Sequence, residues 1–376
     1  MKKFLSLLLS FVVIVTLSAC NKKSAEIQSG YIYLRVDGII AKIDVATAIA
    51  TPLCPDPICK HIQTDCPYSS DSDTIISLDN NNIIFIKNKD GYSIVCNADL
   101  INGEVDTMFQ IPGVLNNVFR HGEYIYFPNC FASKDNNGNL VAKCRVISAP
   151  ISNLSNYSVI GEEIDSGTLT YIQTDETGFI WMTDTAIIHS DFEFLNIKEY
   201  IQERNETIYG YGDNYLLFNT QEQALYSIID GKKDKFPYSA SVQSMPNGAF
   251  VIENVYEAIG SIQNSDGTEN KIIKHHPDII RYFDYDSGNL IEVGGFEKSG
   301  YYNLSFEYAN NSLCGNYILL KGSKLDIRDG IVLAAKPIYL IFNIKTGEWK
   351  RVTGLNAFQS EFFVTDHYGF KYEYDD

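Results

Sequence analysis

The sequence predicts an all-β fold: a single β-propeller, with seven four-stranded blades as the best count and six or eight also compatible. Three observations predict it. Tyr (25) and Phe (21) are abundant while Trp is rare (2), and aromatic and β-branched residues suit a pleated, half-buried surface. A short apolar phrase recurs after a Gly or Asn turn at intervals of some 35 to 65 residues. A second phrase, an apolar residue followed by a polar turn with Gly, follows several copies of the first. Short strands repeated in this way mark a propeller, whose blades bury their faces only by stacking on neighbours.

The apolar phrase reads Tyr31-Ile32-Tyr33-Leu34, Ile83-Ile84-Phe85-Ile86, Tyr124-Ile125-Tyr126-Phe127, Phe179-Ile180-Trp181-Met182, Tyr215-Leu216-Leu217-Phe218, Phe250-Val251-Ile252, Tyr317-Ile318-Leu319-Leu320 and Phe370-Lys371-Tyr372. The turn phrase reads Asp99-Leu100-Ile101-Asn102-Gly103, Asp284-Tyr285-Asp286-Ser287-Gly288 and Asn343-Ile344-Lys345-Thr346-Gly347, with Asp44-Val45-Ala46-Thr47 as a degenerate copy lacking the Gly. Gly supplies the positive φ that tight hairpins demand. Six blades fall near 75–110, 115–160, 168–200, 206–237, 240–295 and 301–352. Strands in 30–54 and 358–374 then join as a seventh, closing the ring with both chain ends. Asp191 to Arg204 has a helix-like apolar spacing but is read as a loop excursion or outer strand. Asn264–His276 and Gly322–Asp329 are mostly polar and are expected to be loops.

The first twenty residues divide differently. Lys2 and Lys3 precede an apolar run from Phe4 to Thr16, and Leu17-Ser18-Ala19-Cys20 closes it. A positive start, a short apolar core and small residues before the cut define a secretory signal. A bilayer-spanning helix needs roughly 20 apolar residues, more than this run holds. The Leu-Ser-Ala-Cys ending resembles the bacterial lipobox. That resemblance implies a signal peptide over 1–19, lipid on Cys20, a polar tether over 20–29, and a place at the outer face of the cell membrane. Residues 30–376 form the propeller domain.

The formal net charge is −17, and loss of Lys2 and Lys3 would deepen it. Such a surface repels phosphate backbones and anionic headgroups, which argues against nucleic acid as a partner and against basic-patch membrane docking.

Cys20 aside, seven of the eight cysteines remain, an odd number. Cys130 and Cys144 flank the turn-rich tip Lys134-Asp135-Asn136-Asn137-Gly138-Asn139. A hairpin centred on Asn137 sets them opposite each other, where Cα atoms about 4.5 Å apart suit a disulfide. The second cluster is Cys54, Cys59, His61 and Cys66, spaced C-x4-C-x-H-x4-C and stiffened by Pro55, Pro57 and Pro67. Three readings stand: a loop stapled by one disulfide with a spare thiol, as suits an exported protein, a zinc site of thiolates and imidazole, or packing alone. No cofactor is expected elsewhere. His121, His189, His275, His276 and His367 are scattered, and neighbours such as His275 and His276 on one strand point to opposite faces.

The Cys54–Cys66 loop after a strand hairpin, together with the lipobox and the blade phrases, resembles exported, loosely TolB-like propeller lipoproteins of Gram-positive anaerobes. That resemblance covers nearly the whole chain and implies architecture, not activity. No G-x-S-x-G, H-E-x-x-H or P-loop spacing occurs, and no catalytic residue is predicted. The leading expectation is a non-enzymatic binding module at the cell envelope, with a protein, peptide or glycan as ligand. An enzyme acting on extracellular polysaccharide, which would need paired carboxylates at one ring face, and a structural or assembly lipoprotein are the alternatives.

Overall fold

The computed structural model describes residues 30–355 except 37, 57–58, 60–65, 202–205, 211, 246, 264–268, 277, 296–300, 307–312, 315 and 329–330. The leader, Cys20, the tether, His61, His367 and the strands expected in 358–374 lie outside the described residues.

The chain is a seven-bladed β-propeller. Blade 1 holds β1 (Tyr31–Val36), β2 (Ile39–Asp44) and β3 (Ala50–Pro52). Blade 2 holds β4 (Ile75–Ser77), β5 (Asn82–Lys89), β6 (Tyr92–Asp99) and β7 (Glu104–Pro112). Blade 3 holds β8 (Val114–Leu115), β9 (Phe119–His121), β10 (Tyr124–Lys134), β11 (Leu140–Pro150) and β12 (Ser158–Ile164), with β8 and β9 sharing one edge of β10. Blade 4 is β13 (Leu169–Thr174), β14 (Phe179–Thr183), β15 (Ala186–Ser190) and β16 (Lys198–Ile201). Blade 5 is β17 (Glu206–Tyr209), β18 (Asn214–Asn219), β19 (Ala224–Ile229) and β20 (Lys232–Lys235). Blade 6 is β21 (Ser239–Met245) and β22 (Gly248–Asn254), then a separate hairpin of β23 (Tyr256–Gln263) and β24 (Glu269–His275), then β25 (Ile279–Asp284) and β26 (Leu290–Gly295). Blade 7 is β27 (Tyr301–Phe306), β28 (Leu313–Cys314), β29 (Tyr317–Arg328), β30 (Ile331–Asn343) and β31 (Trp349–Arg351). Every strand pair is antiparallel.

The apolar phrases explain the stacking. Side chains alternate along a strand, and each blade is covered on both sides. Ile83 and Phe85 face the blade 1 core, while Ile84 and Ile86 face blade 3. Ala249 and Val251 pack toward blade 5, and Phe250 and Ile252 toward blade 7. Trp181, Phe179 and Phe194 fill the seam between blades 3 and 4, with Trp181 Nε1 donating to Ser190 Oγ at 3.0 Å. Among the aromatic residues whose burial is described, somewhat more than half are therefore core.

Closure joins blade 7 to blade 1. Leu319, Tyr339 and Ile341 share one core with Ile32, Leu34 and Ile43. After β31 the chain hooks onto blade 1: Ala50 N–H donates to Thr353 O at 2.8 Å, and Thr353 N–H to Ala48 O at 3.0 Å. The apolar phrase and the turn phrase both align β1–β3 with the second to fourth strands of blades 2, 6 and 7.

Two sequence expectations are corrected. Residues 322–328 lie within β29, paired with β30 as far as Arg328↔Ile331. Residues 269–275 form β24, paired with β23. Polar composition had pointed to loops, but paired strands satisfy their backbone groups by the pairing itself and do not require an apolar face. Residues 191–197 form a turn, and β16 follows as the outer strand of blade 4.

Candidate functional site

The loop after β3 brings Cys54, Cys59 and Cys66 together. Both of its ends are clamped to one residue of β2: Leu53 N–H donates to Ile40 O at 2.9 Å, and Ile40 N–H donates to Tyr68 O at 3.1 Å. Within the loop Cys59 N–H reaches Asp56 O at 3.2 Å, and Ser69 N–H reaches Cys66 O at 3.0 Å. This lariat turns a dispersed spacing into a cluster, with the three Sγ atoms all within 4.8 Å of one another. Cys54 and Cys66 are buried free thiols, and Cys59 is half-buried beside them. Of the four predicted ligands the structure thus places three, and a soft metal ion fits such a set.

Burial is the main cause that pushes the Cys54 thiol up and drives Cys66 up to about 12. Both are therefore neutral at pH 7, and neutral thiols are poor nucleophiles. A metal ion changes that balance, because a coordinating thiol is deprotonated outright. Burial also raises Tyr68, with Cys54 the next cause.

Next to the loop, between blades 1 and 2, lies a cleft of about 280 Å³. Lys42, Thr51, Leu53, Pro55 and Tyr68 form one wall, and the β6–β7 turn, Leu100 to Gly103, forms the other. The turn is held by Asp99, whose carboxylate accepts from Ile101 N–H at 2.8 Å, Asn102 N–H at 3.2 Å and Asn102 Nδ2 at 2.6 Å. Those donors hold the Asp99 carboxyl below its usual range. Ile101 stands on the rim, 71% exposed. Lys42 Nζ sits 3.8 Å from the Tyr31 ring centroid. Sequence reading missed this cleft, because its two walls come from residues about fifty positions apart.

Cys130 and Cys144 face each other in the β10–β11 register and are joined as a disulfide, with Cα atoms 4.2 Å apart. Among the described residues, His121, His189 and His276 have separate partners. His189 Nε2 lies 3.1 Å from both Asp175 Oδ2 and Thr177 Oγ1 in a β-turn cluster. His121 stacks on Phe192, and His276 meets Glu257 at 3.4 Å. Two buried acids also escaped sequence reading. Glu253 pairs with Arg281 at 2.9 Å. Asp278 accepts from Leu304 N–H at 2.7 Å. Each is bound into the scaffold.

No protein-family model matches the chain, and no curated protein matches it. Among solved structures it is similar to an uncharacterized protein of Listeria monocytogenes, with 12% identity, 74% of this chain and 82% of that one covered, and a TM-score of 0.47. It is similar to TolB of Acinetobacter baumannii at 12% identity, covering 91% of this chain and 68% of that one, with a TM-score of 0.37. The β-propeller domain of the Trilobed protease from Pyrococcus furiosus gives 12% identity, 73% and 94% coverage, and a TM-score of 0.36.

Proposed function

We propose that this protein is a lipid-anchored binding module of the cell envelope, and that the cleft between blades 1 and 2 seats its ligand. The observation that carries the binding reading is the cleft itself. It joins apolar walls (Leu53, Pro55, Leu100) to one cation, Lys42, and to the polar groups of Thr51, Tyr68 and Asn102. Ligand sites are concave and mostly apolar with a few polar groups that fix orientation, and 280 Å³ lies just below the ~300 Å³ at which their usual range begins. A short peptide segment with an acidic side chain suits this seat better than a glycan, because Tyr68, the aromatic in the wall, is buried and offers no stacking face. The anchor is supported by the leader and the Leu-Ser-Ala-Cys ending alone. Two acyl chains hold firmly where one holds marginally, since each buried methylene contributes about 0.8 kcal/mol. The ion that suits the adjoining thiols is zinc, which takes thiolate ligands readily.

Two measurements test the proposal. Expression with an alkyne-tagged fatty acid should label the chain, and Cys20→Ser should remove the label and release the protein from membranes. An unlabelled wild type overturns the anchor. The full chain, screened against arrayed acidic peptides and glycans, should retain peptides, and Lys42→Glu should weaken that retention about tenfold, the ~1.4 kcal/mol of one lost charge-assisted contact. Retention indifferent to Lys42→Glu overturns the cleft as the seat.

A further inference from the structure

We propose that the Cys54–Cys59–Cys66 cluster is a zinc-operated clasp on the cleft: a bound ion fixes the cleft's near wall against the β6–β7 turn, and loss of the ion lets that wall go. The inference rests on reading the cleft as the ligand seat.

Three features carry it. The first is the convergence of the sulfurs. Zinc–thiolate bonds of about 2.3 Å set tetrahedral sulfurs about 3.8 Å apart, and the three Sγ atoms already stand within 4.8 Å of one another. An ion therefore draws the loop together by small movements. Binding exchanges thiol protons for the metal: each ligating thiol gives up one proton to solvent, and no oxidant or reductant takes part.

The second feature is that the ligands and the wall are the same stretch of chain. Leu53 and Pro55 bracket Cys54, Tyr68 lies two residues after Cys66, and all three line the cleft. The Ile40 clamps hold Leu53 and Tyr68, so a shift at Cys54 is taken up by Pro55, the part of the wall between them.

The third is the contact that transmits the shift. Gly103, in the opposite wall, has φ of 74° and no side chain, and a Cβ there would lie 2.9 Å from Pro55 Cγ. The Pro55 ring occupies the space that a side chain at Gly103 would need. The loop is thus seated on blade 2 by shape, at a point one residue from a metal ligand.

Hydrogen exchange on the full chain, kept reduced and compared with and without one equivalent of zinc, tests this without knowledge of the ligand. One zinc per chain is expected by elemental analysis. Amides in 50–56 and in 98–104 should exchange about tenfold slower with zinc, the response of a locally opening segment that has been tied down. Peptides from blades 4 and 5 should not change. Cys59→Ser should abolish zinc binding and both protections. Gly103→Ala should keep the zinc and the protection at 50–56 but lose that at 98–104. Stoichiometric zinc with no change at 98–104 would reduce the cluster to a local staple and end the clasp. A metal-free chain that, before reduction, weighs four daltons less than the fully reduced form, with the second disulfide mapped among Cys54, Cys59 and Cys66 beside Cys130–Cys144, would end the metal site itself. In either case the cleft reading stands or falls separately, on the Lys42→Glu result.

Discussion

Gln223 and Ala48 hold backbone angles that glycine holds in the other copies of the turn phrase. In the turn phrase an Asp or Asn carboxylate or amide oxygen caps the N–H groups two and three residues on, as Asp44, Asp99, Asn219 and Asn343 all do. The fifth residue then takes positive φ: Ala48 at 58°, Gly103 at 74°, Gln223 at 50°, Gly288 at 67° and Gly347 at 73°. A side chain costs roughly 1–2 kcal/mol there, part of which glycine's freedom in the unfolded chain offsets. Gln223→Gly should therefore stabilise the protein by up to about 1 kcal/mol, read as a raised urea midpoint with an unchanged slope. The copies with Gly were legible in the sequence, and the Asn219 copy was not, because the glycine was the signal and Gln223 hides it. The Asp44 copy was visible only as a degenerate one for the same reason. Likewise nothing around Asp278 or Glu253 in the sequence separates a buried acid from an exposed one, since burial is decided by other blades.

The middle strands of the blades read correctly because their chemistry is unusual. A strand covered on both faces is apolar at consecutive positions, as in Ile83-Ile84-Phe85-Ile86, and such runs stand out from the alternation of a half-exposed strand. Outer strands read poorly for the converse reason: β20 is Lys-Lys-Asp-Lys, exposed at every residue, and charged edges of that kind protect against pairing with another chain. The β10–β11 hairpin was the most legible element, since the symmetry of Cys130 and Cys144 about Asn137 fixed its register. Its disulfide closes a loop with a sequence separation of 14, and a loop near 15 residues contributes about 3 kcal/mol by restricting the unfolded chain. The double variant Cys130→Ser, Cys144→Ser should lower unfolding stability by about 2–3 kcal/mol, and reductant should lower the wild type's midpoint while leaving the variant's unchanged.

The ring as a whole is held by its seams, and one seam carries a proton. Asp278 precedes β25 in blade 6 and accepts from Leu304 N–H in blade 7, while Asn254 Nδ2 donates to Leu304 O at 3.0 Å. Burial, partly offset by these donors, raises the Asp278 carboxyl from 3.8 to about 6. A raised carboxyl favours folding while protonated, so its contribution is full below about pH 4 and is lost as pH rises through about 6. One pKa unit is 1.36 kcal/mol, so the loss is roughly 3 kcal/mol at most. Urea midpoints of the wild type should therefore fall across that window relative to Asp278→Asn, whose profile should be flat there. Matching profiles would place the group's proton elsewhere. At this scale the sequence showed that blades recur and that seven suited the spacing, but not which side chains meet across seams. The thiols were legible because one short loop carries them; the cleft was not, because two blades make it.

In an antiparallel blade every connection from second to third strand leaves by one side of the ring. Blade 3 extends there through Lys134↔Leu140, blade 6 through β23 and β24, and blade 7 through Arg328↔Ile331. The disc consequently has a bristled side and a plainer one. A broad, flat object can lie flush only against the plainer side, whereas a thread or a narrow tip can pass between the bristles.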